Sequence, residues 1–442
     1  MPKESEVLAG PAPRRVLPFR RGSIYILVLG MSMIVSVVGF SVLTLARLDA
    51  RALAMETRAN EAQILAQGGV EYCMNYFSLI KWQLDLTSDV ESAPIALGGG
   101  SFTYKVVDEL DGDLSNNTFE PARLYVYGRA GRAVKCLSVL IQPSTPLNVL
   151  RSTLHCGGAL TTMASSVLSS VSGPVSTNGT LTNNGTIVGA AECLLSLGGG
   201  TVSGGVSILA LAKNMPSSAV FAMYKSWSTT LNYANIDGGS GNLIAPLISA
   251  EVNPTGGATN PKGIYYVSVP ANGMFSVQVS RIKGTLLIDC ASGAWVRMDQ
   301  AAINWEPHSQ SYPILIIRHA TTSTVNDLLY PVNQTILESD VGANLNPVGT
   351  PYQDVQDNDM SDSYPSVLSG LIHVITPALA GTKVILRSNL TMYGTLLADC
   401  AVQATGANLV WDGGNYDTPP IGYTSGFEAQ IVPGTWRWEA VP

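Results

Sequence analysis

The sequence predicts an α+β protein that is mainly β, with a long N-terminal transmembrane helix and stem, a small antiparallel meander and a β-solenoid-like (parallel β-helix-like) domain. Three observations carry this prediction. One apolar segment of membrane length runs directly into a helical pattern. Apolar residues then alternate as they do in strands, and one eight-residue motif occurs twice in the second half of the chain.

The apolar segment predicts a transmembrane helix. Residues 24–45 contain no charged side chain and number about 22, the length that crosses a hydrocarbon core of about 30 Å. Residues 45–67 that follow are almost all strong helix formers, with neither Gly nor Pro. The helix and its amphipathic stem are therefore expected to occupy residues 23–86.

A stripe of mostly small residues follows one side of this stem, in alternating steps of four and three. Such spacing is the seam of one helix packed against another, and small side chains allow a close approach. Two interpretations stay open: the helix rests on its own globular domain, or it packs into a bundle of similar subunits. The predicted helix-packing residues are Leu48, Ala52, Met55, Ala59, Ala62, Ala66, Gly69 and Cys73.

Basic residues precede the apolar segment and set its predicted orientation. Residues 1–22 hold five Lys and Arg side chains against Glu4 and Glu6, so the positive-inside rule places the N-terminus in the cytoplasm. The C-terminal part is then periplasmic or at the cell surface. A secretory signal peptide is disfavoured because its apolar core would span only about 7 to 15 residues.

The leader ends in Arg20-Arg21-Gly22, and Ser23 opens the apolar run. This N-terminus resembles those of type IV prepilins and type II secretion pseudopilins, which have a short basic leader, a glycine before the cleavage point and an apolar helix. The resemblance implies that prepilin peptidase cuts between Gly22 and Ser23. Most of the family has a Glu five residues after the cut, where this chain has Leu27. That departure favours a minor pilin over a major one.

Composition limits the remaining classes of function. The chain has 442 residues, enough for two or three domains, of which 13% are charged and 46% hydrophobic. Its formal net charge is −7, and the basic residues do not cluster outside the leader. Nucleic-acid binding is therefore disfavoured, and an extracytoplasmic, β-rich protein is favoured.

After a Pro- and Gly-containing boundary at residues 92–101, the chain alternates in strand fashion. Residues 100–143 predict a three-stranded antiparallel meander, and a long helix followed by such a meander extends the resemblance to pilins to about residue 143. Residues 150–442 are predicted to form the β-solenoid-like domain, because short apolar segments alternate with Gly-containing turns. Residues 418–442 are predicted to cap its core.

The repeated motif covers residues 284–291 and 394–401, with seven of eight positions identical. We interpret the two copies as equivalent rungs of one β-domain. Stacked as neighbours, they would bring Cys290 and Cys400 within bonding distance, which makes this pair the candidate disulfide. The alternative for all six cysteines is a set of buried thiols.

One acidic run is a candidate calcium site. Asp354, Asp357, Asp359 and Asp362 lie within nine residues, and alternate carboxylates of this kind collect around a hard cation. A second candidate runs from Asp108 to Asp113. The alternative for both is a solvated turn, since Asp and Asn favour turns for backbone reasons. No other cofactor is predicted.

Enzyme signatures are missing from the sequence. The four histidines are isolated, and no phosphate loop or hydrolase serine motif occurs. Asp289 and Asp399 could be a carboxylate pair, but their place inside a structural repeat favours equivalent structural roles. We therefore predict a non-enzymatic structural or assembly component of a type IV pilus or a type II secretion-like filament, with the membrane and other pilin-like subunits as partners. The alternative is a membrane-anchored surface adhesin or polysaccharide-binding protein.

Overall fold

The computed structural model describes residues 22–116, 120–244, 247–299, 302–321, 324–330, 334–377, 381–388 and 390–441. The fold is a long N-terminal apolar helix followed by mainly β structure, which confirms the predicted fold class. The predicted leader lies outside the described residues except for its last residue, Gly22. The helices in the described part are α1 Gly22–Phe77, α2 Trp82–Asp85, α3 Ala219–Ser226, α4 Glu338–Val341 and α5 Gly414–Asp417. Short 3₁₀ turns cover Asn148–Arg151, Tyr233–Asn235 and Asp237–Gly239.

The first sheet is antiparallel and lies against α1. Its core face carries apolar residues at alternate positions, such as Phe102, Tyr104 and Val106, all of them buried. The α1 residues Val70 and Phe77 belong to the same apolar cluster. The strands of the first sheet, in order across it, are Ile95–Leu97, Gly100–Val107, Ala122–Ala130, Ala133–Pro146 and Thr424–Ile431, and Arg437–Glu439 also pairs with Ala133–Pro146.

The C-terminal segment lies in the first sheet, which corrects the prediction that residues 418–442 cap the solenoid-like core. Thr424–Ile431 runs antiparallel to Ala133–Pro146, with Thr424 opposite Pro146 and Ile431 opposite Ile141. The prediction failed because this pairing joins residues almost 300 positions apart, and no local pattern encodes it. Residues 147–423, here called the solenoid-like region, therefore connect two strands that pair with each other in the first sheet.

The solenoid-like region consists of parallel strands stacked in rungs. Its larger sheet contains Leu154–Cys156, Val167–Val171, Val175–Thr177, Thr186–Val188, Ala191–Cys193, Thr201–Val202, Val206–Ile208, Thr229–Leu231, Leu247–Ile248, Ile264–Val269, Ser280–Lys283, Thr285–Cys290, Ile303–Glu306, Leu315–His319, Val367–Ile375, Thr391–Ala398 and Ala407–Val410. Its smaller sheet contains Leu160–Thr162, Thr180–Asn183, Leu195–Leu197, Asn242–Leu243, Met274–Val277, Trp295–Asp299, Asn326–Tyr330, Lys383–Leu386 and Ala401–Ala404.

The chain enters the stack in its middle. Leu154–Cys156 pairs with Thr391–Ala398 on one side and with Val175–Thr177 on the other. From there the rungs continue through Ala191–Cys193 to Val206–Ile208. The first rung in sequence is therefore the neighbour of a late one.

The next rung in the sequence lies at the end of the stack opposite to Val206–Ile208. After Val206–Ile208 the chain passes through α3 and begins a new rung at Thr229–Leu231, which pairs with Ile264–Val269. Later rungs return to Ala407–Val410, which pairs with Val167–Val171. This order brings the end of the region back to its beginning, as the pairing of Thr424 with Pro146 requires.

The two motif copies occupy equivalent positions but are not neighbours. Leu286 is opposite Leu315, Leu315 is opposite Ile372, and Ile372 is opposite Leu396. Leu286 and Leu396 thus share one column three strand spacings apart, about 14 Å. The copies do not stack as direct neighbours, which was the condition for the candidate disulfide, because two other strands intervene.

Apolar side chains fill the interior of the solenoid-like region, with a buried histidine–aspartate contact among them. His319 Nε2 lies 2.7 Å from Asp327 Oδ2, and both side chains are almost fully buried. Asp327 Oδ1 accepts a hydrogen bond from the Val296 N–H at 2.9 Å. The buried carboxylate therefore has a partner for each oxygen, as burial of a charged group requires.

The outer face of the larger sheet is covered by α3. Phe221 of α3 lies beneath Arg318, whose guanidinium carbon is 4.3 Å from the centre of the phenyl ring. Lys225 donates to the Tyr266 hydroxyl at 3.0 Å and lies 4.2 Å from the centre of that ring. These contacts hold the crossing segment against the strands.

A segment around residues 334–366 is held together by a short antiparallel strand pair and one buried carboxylate. Thr335–Leu337 pairs antiparallel with Ser363–Pro365. The buried Glu338 carboxylate accepts hydrogen bonds from the Leu345 and Asp362 N–H groups and from the Tyr364 hydroxyl. Its desolvation is thereby offset.

His155 gives the fold a pH dependence. Its ring is fully buried, with Nδ1 3.0 Å from Ser176 Oγ, and burial together with the charge of Lys213 lowers its pKa to about 3. The unfolded chain binds this proton near pH 6.5, so below that value unfolding takes up a proton and stability falls as pH falls. Between pH 7 and pH 5 we expect His155 to remove about 2 kcal/mol of stability. Urea unfolding of wild type and His155→Gln at both pH values measures this, and equal losses in the two proteins would contradict it.

Candidate functional site

The candidate functional site is α1 and the surface on which it rests. Its N-terminal half is apolar and unpacked: Ile26 is 74% exposed and Phe40 is 71% exposed. By length and composition, α1 is the one helix in the described part of the chain that could span a membrane.

The Ser and Thr side chains from Ser32 to Thr44 donate to carbonyls of the helix itself. Ser36 donates to the Ser32 carbonyl at 2.7 Å, and Thr44 donates to the Phe40 carbonyl at 2.7 Å. Ser41 makes an equivalent bond to Val37. Because a bilayer core offers no water as a partner, such internal bonds make these residues compatible with it.

The predicted small-residue stripe divides at Ala59. Residues Ala62, Ala66, Gly69 and Cys73 are buried against the first sheet. Leu48, Ala52 and Met55 are exposed, and Ala59 is half-buried. The first interpretation, a helix resting on its own domain, thus describes the C-terminal half of the stripe, and the N-terminal half is without a partner in the described part of the chain.

Two glycines set how closely helix and sheet approach. A Cβ on Gly69 would lie 2.6 Å from a methyl of Val126. A Cβ on Gly128 would lie 2.0 Å from the Ala62 carbonyl oxygen and 2.5 Å from the Ala66 nitrogen. Both contacts are below van der Waals distance, so any side chain at these positions displaces the helix.

The predicted processing site lies at the border of the described residues. Gly22 is the first residue of α1 and Ser23 the second. Cleavage between them stays a prediction.

The first predicted calcium cluster is an exposed loop in which the carboxylates serve as turn and side-chain partners. Asp357 Oδ1 accepts from the Asp359 N–H at 3.2 Å, and Asp362 Oδ2 accepts from the Asn346 amide at 2.9 Å. Asp359 accepts from Ser361. Asp354 has a positive φ of 66°. Calcium binding by these four residues stays a prediction.

Two carboxylates of the second candidate calcium site lie close to each other in the structure. Within the described ranges, the one group of three His, Cys, Asp or Glu side chains with close ligand atoms is Asp108, Asp111 and Glu120. Burial raises the pKa of Asp108, and the Asp113 N–H lowers the pKa of Asp111. Calcium binding by this second candidate stays a prediction.

The candidate disulfide does not form. All six cysteines are buried free thiols, and Cys290 and Cys400 follow motif copies that are three strand spacings apart, about 14 Å. Disulfide partners need Cα atoms within about 7 Å. Burial raises the pKa of Cys136 to about 11 and of Cys156 to about 12, so these thiols stay protonated.

The two motif aspartates do not form a close carboxylate pair. They belong to the same rungs as the two cysteines, about 14 Å apart, whereas glycosidase carboxylates lie about 5 to 9.5 Å apart. Asp289 instead accepts two hydrogen bonds from Arg318, at 2.9 and 2.6 Å. Asp399 accepts from the Thr376 N–H at 3.2 Å.

Some structural residues carried little signal in the sequence. Gly128 lies inside the strand Ala122–Ala130 at the contact point of α1, and a glycine near the end of a strand pattern does not by itself indicate such a contact. Arg281 shares the short strand Ser280–Lys283 with a second basic residue, and the sequence alone does not distinguish the buried Arg281 from the half-buried Lys283.

Among solved structures, this chain is similar to a pilin. The competence-associated pilin ComZ from Thermus thermophilus, known from its crystal structure, has a TM-score of 0.31 and 9% sequence identity, covering 87% of this chain and 98% of the ComZ chain. No protein-family model and no curated protein matches the chain. A TM-score this low supports no inference, so the functional argument rests on the residues of this chain.

Proposed function

We propose that this chain is a non-enzymatic, membrane-anchored minor pilin-like subunit of a type IV pilus or a type II secretion-like filament. The observation that carries the proposal is the division of α1. Its first half is apolar and unpacked, and its second half is buried on an antiparallel sheet of the same chain. Such a subunit needs an apolar helix half that a membrane holds before assembly and that packs against other helices afterwards. It also needs a second half that attaches the helix to its own domain.

In this proposal the chain is a single-pass protein of a bacterial inner membrane. The basic leader keeps the N-terminus in the cytoplasm, and the β-rich part lies in the periplasm or at the cell surface. Prepilin peptidase removes residues 1–22. The exposed stripe residues Leu48, Ala52 and Met55 then contact other pilin-like subunits, and the solenoid-like region is displayed outward.

Mass spectrometry of the mature N-terminus, in protein purified from the native membrane, tests the processing step. The proposal predicts a chain that begins at Ser23. A chain that retains Arg20 and Arg21 would contradict processing and leave a plain membrane anchor, which is the adhesin alternative.

A further inference from the structure

A groove on the side of the solenoid-like region, here called the side groove, has a volume of about 760 Å³. It lies between the turn Asn148–Arg151, the strand Ala191–Cys193 and helix α5. Binding sites for small ligands commonly enclose about 300 to 1,000 Å³. The residues that carry the argument are Arg151, Glu192, Lys213, Trp411, Tyr416 and Asp417.

Two aromatic rings in the side groove are held in place. Trp411 donates from its indole Nε1 to the Leu150 carbonyl at 2.8 Å. A Cβ on Gly173 would lie 2.9 Å from Trp411 Cβ, so the backbone between the strands Val167–Val171 and Val175–Thr177 approaches this residue closely. Arg151 lies 4.4 Å from the centre of the Tyr416 ring and donates to its hydroxyl at 2.5 Å. Rings fixed before binding lose little conformational entropy when a ligand packs on them.

The charges of the side groove balance. Lys213 and Glu192 form an ion pair at 2.5 Å, and both are largely buried. Arg151 and Asp417 add one charge of each sign. A phosphate or a nucleic acid would need a surplus of positive charge, so this groove fits a ligand without net charge.

Several polar groups of the side groove are unused. Within the described part of the chain, the Asn148 amide, the Ser172 hydroxyl and the Asp417 carboxylate line the groove without a side-chain hydrogen bond to the protein. Together they supply both donors and acceptors. A ligand that matches them must carry many hydroxyl groups and also an apolar face for the rings.

We propose that the side groove binds a neutral oligosaccharide. The C–H face of a pyranose would pack on Trp411 or Tyr416, and its hydroxyls would bond to Asp417, Asn148 and Ser172. The oligosaccharide is a ligand of the displayed region, so this proposal holds whether or not the leader is cleaved.

The test is titration calorimetry of the detergent-solubilised full chain with cellohexaose, chitohexaose and maltohexaose. We expect at least one of them to bind with a Kd below about 1 mM. Trp411→Ala and Asp417→Ala should each weaken that binding by about tenfold or more. Asp417 is exposed, so its substitution keeps the test valid if Trp411→Ala does not fold.

Trp438→Ala is the matched control, because Trp438 is a half-exposed aromatic residue on the first sheet. Its substitution should leave binding unchanged. The proposal is overturned if none of the three sugars binds at about 5 mM, if Asp417→Ala binds like wild type, or if Trp438→Ala abolishes binding. Binding of a single-stranded oligonucleotide in place of sugar, weakened in Trp411→Ala, would also overturn it.

Discussion

Replacing Gly128 by valine is expected to separate α1 from the first sheet. The new Cβ would lie 2.0 Å from the Ala62 carbonyl oxygen and 2.5 Å from the Ala66 nitrogen, and both are backbone atoms of a helix that cannot rotate away. Overpacking of a core commonly costs about 1 to 3 kcal/mol, and more where backbone must move. We therefore expect a loss of about 3 kcal/mol or more in the free energy of unfolding, measured by urea unfolding of the detergent-solubilised protein.

Gly99→Val is the matched control, because a Cβ at Gly99 has no heavy atom within 4 Å. It should unfold within about 0.5 kcal/mol of wild type. Limited proteolysis adds a local measurement: in Gly128→Val, sites in the second half of α1 should become accessible. Equal stability of the two variants would show that helix and sheet are not packed this closely.

Replacing Arg281 by methionine is expected to release the segment around residues 334–366. Arg281 is fully buried and donates to the carbonyls of Leu345, Thr350 and Pro351 and to the Glu306 carboxylate at 2.9 Å. Methionine leaves the Leu345 and Thr350 carbonyls without the donor that Arg281 supplies. Pro351 and Glu306 then keep only Lys283, at 3.0 and 3.8 Å. Each buried carbonyl left without a donor costs about 1 to 3 kcal/mol, a loss that unfolding measurements and protease cleavage within the segment should both report.

Arg129→Met provides the comparison for a surface ion pair. Arg129 contacts Glu91 at 3.1 Å, and both side chains are nearly half exposed. Such pairs contribute about 1 kcal/mol or less. If Arg281→Met is no more protease-sensitive and no less stable than Arg129→Met, the anchoring role assigned to Arg281 is wrong.

The sequence predicts those parts of the fold that depend on neighbours in the chain. Composition and length are enough to predict the apolar helix, because the whole segment from Ile24 to Leu45 is without charge and has the length of a membrane span. Alternation is enough for the core face of the strand with Phe102, Tyr104 and Val106, since the period of a strand is two residues.

Long-range pairing is not encoded locally. Nothing near Thr424 indicates that it pairs with Pro146, and nothing near Leu154 indicates that its rung follows Thr391–Ala398. The two motif copies illustrate this. Their sequence identity predicted that they occupy equivalent rungs of the stack, but it could not predict that two other strands lie between them. The candidate disulfide failed for this reason.

Charged residues inside the fold were missed because each depends on a partner from another rung. Arg281 meets carbonyls about 64 to 70 positions away. The side groove likewise joins Arg151 to Tyr416, which are 265 positions apart. A single sequence shows such residues only as polar exceptions in apolar patterns.

The central claim, that this chain joins a filament through α1, is tested most directly by shearing surface filaments from the native host and probing them for the chain. Wild type and Val348→Asp should appear in the sheared fraction, and Met55→Asp should stay in the membrane, because Met55 belongs to the unpacked stripe. The two side chains are 69% and 70% exposed, so neither substitution disturbs the fold. Absence of wild type from sheared filaments, or equal incorporation of Met55→Asp, would contradict the account.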